Sequence, residues 1–196
     1  LRGKCKNVRD ASVAQLTSNQ EFNDLKKILG LQQGREYNNV SELRYGRLMI
    51  MTDADNDGSH IKGLIINMIH AFWPSLLDLG FVVSMVTPII KATKGSQSKS
   101  FYTDSAFRAW YGDGKAGWRI KYYKGLGTST SAEAREYFKM IETLTVKFDV
   151  DVMTDESVVL AFDKKKADAR KTWLLESTAK EANQLEVSYG NIKQLG

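Results

Sequence analysis

One cysteine, Cys5, gives the chain no partner for an internal disulfide and too few thiols for a Cys-rich zinc site, which suits a reducing compartment. Long apolar runs are missing as well. The longest stretch without Asp, Glu, Lys or Arg, residues 63–77, is 15 residues long and includes Asn67, His70 and Pro74. A membrane-spanning helix needs ~20 apolar residues, so no membrane partner is expected. The sequence contains no signal-peptide pattern, no internal repeat and no low-complexity segment.

What is present is ordinary globular material: 196 residues, 42% hydrophobic and 26% charged, enough to bury a core in one large domain or two small ones. Lys and Arg number 28 against 23 Asp and Glu, a net charge of +5 that suits a polyanionic partner without requiring one. The chain starts at Leu1 without Met and ends in an unpatterned tail, and is read as a piece of a longer protein.

Apolar residues at helical spacing (Phe22, Leu25, Ile28, Leu29) predict a helix over 21–29 stopped by Gly30, followed by a polar loop over 32–39. Leu48 to Met51 is apolar on both faces and too short for a helix, the pattern of a buried parallel strand. From Ser59 the period becomes helical, with Ile61, Leu64, Ile65, Met68, Ile69 and Phe72 on one face up to Pro74. Residues 81–90 predict a further strand, 91–100 a Lys/Gly/Ser-rich loop, and 118–123 a strand running into Lys124-Gly125-Leu126-Gly127. Thr130 and Glu133 form a capping-box pattern for a helix to about Thr143, and 163–186 predict a long exposed helix. Strands alternating with helices imply an α/β fold with a mostly parallel sheet flanked by helices and a C-terminal helical extension.

Where the strand at 48–51 ends, Asp53, Asp55 and Asp57 crowd three carboxylates into five residues. Like charges this close disfavour joint ionisation unless a cation, a basic partner or water compensates. Hard Mg²⁺ takes oxygen ligands from one or two carboxylates, waters and phosphates, and ligands of open α/β sheets bind at the carboxyl ends of parallel strands. Residues 53–58 also match the first half of an EF-hand loop, but its twelfth position is Leu64 where a bidentate Glu belongs. A third reading is a solvated acidic turn that caps the helix through Asp57 or Ser59. With one or two Mg²⁺ ions, such acids serve phosphodiester chemistry. Arg2, Lys4, Lys6, Arg9, His60, Lys62 and Lys124 are the basic candidates for the phosphate backbone, although each lysine taken singly reads as solvated surface.

Five ordered stretches carry a family resemblance: LRGKCKNVRDAS (1–12), LRYGRLMIMTDADNDGSHIKGLIINMIHAFWPSLL (43–77), TPIIKATKG (87–95), YYKGLGTSTSAEAREYF (122–138) and DKKKADARKTWL (163–174). Together they resemble the toprim region of eukaryotic-type, ATP-dependent type IIA DNA topoisomerases. The resemblance implies a Rossmann-like toprim fold over 1–145, lacking its N-terminal strand and acidic Glu motif. It also implies a linker and helical extension over 146–196 toward a winged-helix domain. Asp53 and Asp55 would ligate Mg²⁺ (Mn²⁺ or Ca²⁺ as substitutes), with Asp57 beside them. Arg2, Lys4 and Asn7 would contact duplex DNA, joined by His60, Lys62 and Lys124.

By the same resemblance, the acidic Glu and the DNA-attacking tyrosine are expected outside these residues, so no catalytic nucleophile is assigned here. Arg44-Tyr45 is read as a structural position. The full-length family enzyme is a homodimer with ATP bound in a separate domain, nuclear in a eukaryote, with mitochondrial or viral origin left open. Two rival readings stand beside this one: another toprim phosphotransfer enzyme, a nuclease or primase, and a non-catalytic DNA-binding module whose acidic turn is structural.

Overall fold

The computed structural model describes residues 1–123 and 125–181, with side chains through 177. Lys124, the end of the helix expected to reach 186, and the tail beyond it lie outside the described residues. The described chain divides into two units, one over Leu1–Asp151 and one opening at Val152.

The first unit begins with α1 (Val13–Thr17), closed at its start by a Ser12/Gln15 capping box, and α2 (Gln20–Leu29). Asn19 caps α2 by accepting from the Phe22 N–H, and Gly30 ends it at φ +80°, a conformation that costs glycine least. Phe22 and Leu29 face inward, as their spacing predicts, and Leu25 packs against the same core, but Ile28, expected on that face, is exposed.

The strand β1 (Leu48–Ile50) leads through the acidic loop into α3 (Asn56–Phe72), then α4 (Ser75–Asp78) and β2 (Val82–Met85). The α3–α4 crossover lets β1 and β2 pair in parallel, with Leu48 opposite Val82. Trp73, Leu76, Phe81 and Ile69 are fully buried around this crossover. Each such side chain contributes roughly 1.5–3 kcal/mol by leaving water. The expected polar loop at 32–39 is also anchored: Tyr37 is buried, and the Trp73 indole N–H donates to the Gln32 carbonyl at 2.8 Å.

Beyond β2 the expectation of one strand over 81–90 is corrected. The chain leaves the first sheet at Val86 and enters a second sheet as β3 (Ile90–Lys94), with Pro88, which cannot donate to a ladder, in between. The expected loop over 91–100 is likewise a hairpin, β3 with β4 (Gln97–Phe101). Gly95, at φ +57°, opens its two-residue turn, the position at which a type II′ turn takes glycine. Its polar composition reflects one solvated face; Ile90, Ala92 and Phe101 on the other face are buried with Phe107 of α5 (Asp104–Tyr111).

The strand β5 (Arg119–Tyr122) pairs antiparallel with β3, α6 (Ser131–Lys139) and α7 (Ile141–Leu144) follow, and β6 (Thr145–Lys147) returns to pair antiparallel with β2. The two sheets run β1-β2-β6 and β4-β3-β5. The fold is α/β, but the mostly parallel Rossmann-like sheet is not what the described strands form. Parallel pairing needs a crossover, and only the α3–α4 connection supplies one to a neighbouring strand; the short hairpin enforces the opposite direction.

The second unit contains α8 (Thr154–Phe162), a 3₁₀ turn over Lys164–Lys166, and α9 (Ala167–Glu181). The Arg170 guanidinium donates to the carbonyls of Leu160 at 2.7 Å and Ala161 at 2.9 Å, satisfying acceptors that the end of α8 leaves open. Among the described residues, no helix is long and apolar enough to cross a membrane.

Candidate metal and nucleic-acid site

The acidic loop sits between the end of β1 and the start of α3, where each aspartate meets a different partner. Asp55 takes an extended backbone (φ −123°, ψ 179°), and its Oδ1 accepts from the Gly58 N–H at 2.7 Å. It is therefore Asp55, not Asp57 or Ser59, that caps α3, and the helix starts three residues earlier than expected. A carboxylate there meets the positive end of the helix dipole and one of its unpaired N–H groups.

Asp53 is held from across the chain. Its Oδ1 accepts from the Leu126 backbone N–H at 2.7 Å. A Cβ on Gly125 would lie 2.7 Å from Asp53 Cγ and Oδ2, and one on Gly58 would lie 2.0 Å from the Asp53 carbonyl oxygen. Close approach to backbone requires glycine at 58, whereas at 125 a Cβ would meet the Asp53 carboxylate and displace it.

Asp57 pairs with Lys4, Nζ to Oδ1 at 2.7 Å, in a solvated setting. The hydrogen bond from Lys4, then its charge, holds the Asp57 carboxyl below its usual range. Among the described residues, no three His, Cys, Asp or Glu side chains gather closely enough to hold a metal ion. Asp53, Asp55 and Asp57 are thus neighbours in sequence whose carboxylates are committed separately. Asp53 and Asp55 each keep a second oxygen without a bond among the described residues, and the Asp53 carboxylate lies against Gly125. Those two oxygens are the hard donors that Mg²⁺ prefers.

The first ten residues run alongside α3 in the same direction. Lys4 meets Asp57, the Asn67 amide donates to Asn7 Oδ1 at 3.0 Å, and Arg9 donates from Nε to Asn67 Oδ1 and from a terminal nitrogen to His70 Nδ1, both at 2.6 Å. Arginine can only donate, so His70 Nδ1 is the acceptor in that bond. From Lys4 to Arg9 an extended chain covers ~17 Å, and from Asp57 to His70 a helix rises ~20 Å, so the pairings are in step. Asn67 is fully buried in an otherwise apolar stretch of α3.

This arrangement brings Lys4 to the acidic loop and anchors Asn7. Arg2 is exposed, its backbone N–H donating to Glu21 at 3.0 Å, and His60 is exposed on the first turns of α3. Lys62, half-buried, makes no ion pair among the described residues, and burial pushes its ammonium pKa down. Lys124 lies outside the described residues.

The turn that delivers Leu126 is itself clamped. Glu133 accepts from the Thr130 N–H at 2.8 Å in the expected capping box, from Lys121 Nζ at 2.9 and 3.1 Å, and from the Tyr123 hydroxyl. Burial alone would raise the Glu133 carboxyl, but the donors from Thr130, Tyr123 and Lys121 outweigh it and hold the pKa at about 2. Burial, then Glu133, push the Tyr123 phenol well above its ordinary value, so it stays a donor.

Comparison with known proteins bears on the family of the chain. Residues 85–194 match the model of the C-terminal associated domain of TOPRIM. The chain is 54% identical to DNA topoisomerase 2 of Arabidopsis thaliana over 181 residues, covering 89% of this chain and 12% of that protein. It is 51% identical to human DNA topoisomerase 2-beta over 180 residues, 89% of this chain and 11% of that one. The chain belongs to the eukaryotic-type DNA topoisomerase II family.

A solved member, the topoisomerase II DNA-binding, cleavage and re-ligation domain of Plasmodium falciparum, superposes with a TM-score of 0.85 at 49% identity, covering 89% of this chain and 24% of that one. The chain spans about an eighth of the length of the curated topoisomerases it matches. A mitochondrial DNA topoisomerase 2 from Dictyostelium discoideum, 50% identical over 185 residues, covering 90% of this chain and 14% of that protein, stands among the relatives.

Sequence reasoning missed three features of this candidate site: Gly125 as the floor beneath Asp53, Asn67 as the anchor of the N-terminal segment, and Lys121 with Tyr123 as partners of Glu133. Glu133 itself was visible as the last residue of the capping box, and a lone Asn in the apolar run of α3 was the available signal for Asn67. Gly125 had no local signal, because its constraint comes from a residue 72 positions earlier.

Proposed function

We propose that this chain is the Mg²⁺-binding toprim part of an ATP-dependent type II DNA topoisomerase that cuts both strands of one duplex by transesterification, passes another through and reseals the break. The observation carrying this reading is the Asp53 carboxylate, seated against Gly125 with one oxygen fixed by the Leu126 N–H and the other without a bond among the described residues. Asp53 and Asp55 would hold Mg²⁺ (Mn²⁺ or Ca²⁺ in substitution), with Asp57 beside them. When bound, the ion supplies charge stabilisation at a scissile phosphate. Arg2, Lys4, Asn7, His60, Lys62 and Lys124 would position duplex DNA. The acidic Glu and the nucleophilic tyrosine of the family are expected outside these residues, as is the ATP site, in a nuclear homodimer.

A second reading, in which the acidic loop is purely structural, is favoured by the Asp55 cap and the Lys4–Asp57 pair. Isothermal titration of Mn²⁺ into the chain with duplex DNA separates the two: the metal site predicts heat that disappears in Asp53→Ala. In the complete enzyme, Asp53→Asn lowers cleavage-complex yield at ordinary Mg²⁺ at least tenfold. Unchanged cleavage by that variant overturns the metal assignment.

A further inference from the structure

The net charge of the chain is not spread evenly. Residues 89–123 hold seven Lys or Arg against two Asp, an excess of five that equals the excess of the whole chain. This stretch is β3, β4, α5 and β5, with its own buried cluster of Ile90, Ala92, Phe101 and Phe107. Three of its cations are already spoken for: Lys91 pairs with Glu136, Lys121 with Glu133 and Arg108 with Asp104.

Lys94, Lys99 and Lys115 are exposed and form no ion pair among the described residues, and two of them, Lys99 and Lys115, gather around one ring. Lys99 Nζ lies 5.8 Å from the centre of Trp110 and Lys115 Nζ 5.7 Å from it. Lys94 Nζ donates at 3.1 Å to the carbonyl of Ala116, the residue after Lys115. Trp118 meets Trp110 edge to face at 5.0 Å, fixing the ring. Cation–π contact draws ammonium groups to a tryptophan face, but it neutralises none of them. Three unpaired like charges on a rigid sheet-and-helix support repel one another unless a polyanion lies across them.

We propose that Lys99 and Lys115 over Trp110, with Lys94 beside Ala116, form a second duplex-DNA contact, which holds backbone phosphates without metal and without reading bases. It rests on the reading of duplex DNA as the partner, but not on the acidic loop. Lysine contacts to phosphate position a duplex and carry no sequence information, which suits an enzyme that must hold DNA away from the cut.

The test is fluorescence anisotropy of the 196-residue chain with a labelled duplex of about 30 base pairs in EDTA, over a series of KCl concentrations. Each phosphate contact contributes about 0.9 to the slope of log affinity against log salt, so K94Q/K99Q/K115Q should flatten the slope by about 2 to 3. Affinity at low salt should fall at least tenfold, whatever the duplex sequence. K99Q alone should flatten the slope by about 1, which keeps the test open if the triple variant does not fold. An unchanged slope in a folded variant overturns the proposal. So does loss of poly-glutamate binding with the DNA slope retained, which would assign the patch to an acidic protein segment. Failure here leaves the Mn²⁺ titration at Asp53 untouched, and the reverse holds equally.

Discussion

The backbone N–H of Leu126 donates to Oδ1 of Asp53 at 2.7 Å across 73 residues of chain. That bond joins the loop after β1 to the turn after β5, and so ties the acidic residue to the Lys-Gly-Leu-Gly signature. Neither stretch explains the other in sequence. In the fold, Gly125 is a floor and Leu126 a hydrogen-bond donor for that carboxylate.

Gly125→Ala tests that relationship. The new Cβ would lie 2.7 Å from Asp53 Cγ, and the end of a side chain can swing aside, so the cost falls on the carboxylate and not on the fold. Losing one charge-assisted bond costs about 1.5–3 kcal/mol. The expected outcome is a Mg²⁺ requirement for cleavage raised about tenfold in the complete enzyme, with a melting temperature lowered by only a few degrees. An unaltered Mg²⁺ requirement would mean that the Gly125–Asp53 contact has no functional weight.

Gly58→Ala makes the contrasting case. Helix propensity favours Ala by about 1 kcal/mol, but the Cβ would stand 2.0 Å from the backbone oxygen of Asp53, which cannot rotate out of the way. Overpacking against backbone should outweigh the propensity gain and leave a net loss of about 2 kcal/mol or more. Urea denaturation of the chain measures it, and a stabilised variant would show the loop to be freer than its packing indicates.

Asn67→Ala addresses the N-terminal segment. It deletes the acceptor of Arg9 Nε and the donor to Asn7 inside a buried site, leaving a charged donor short of a partner. Such losses cost about 2–4 kcal/mol, so the denaturation midpoint should fall markedly. Because the same segment carries Lys4 to Asp57, an amide-exchange measurement should also show faster exchange over residues 4–9. Protection unchanged there would separate the two effects.

Patterns local to one element were legible in the sequence: the spacing of Phe22, Leu25 and Leu29 (though not Ile28, which is exposed), the apolar face of α3, the capping box at Thr130 and Glu133, and the strand feeding the acidic loop. What was not legible depended on contacts between elements. The stretch 91–100 has loop composition because one face of a small hairpin is solvated, and only the packing of Ala92 and Phe101 under α5 makes it sheet. The strand over 81–90 breaks because the chain changes sheets at Pro88, a topological event with only a weak local mark. Asp53, Asp55 and Asp57 could be picked out as a group, but their separate partners, Leu126, Gly58 and Lys4, follow from the fold.

The clamp on the signature turn makes a pH prediction. The Glu133 pKa is depressed to about 2 in the folded chain, below its ordinary value of 4.5. A depressed carboxyl contributes stability that is fully present above its unfolded pKa and is lost as pH falls through the folded one. Stability from this group should therefore decline between about pH 4.5 and pH 2. In Glu133→Gln, the amide oxygen can still accept from the Thr130 N–H while the ion pair with Lys121 disappears. That variant should be less stable at pH 7 by about 1–3 kcal/mol, and its stability should change less than the parent's over that acid window. Urea midpoints at half-unit steps from pH 5 to pH 2 provide the comparison. Parallel curves for the two proteins would show that the carboxylate of Glu133 is not the charge that holds the turn beneath Asp53.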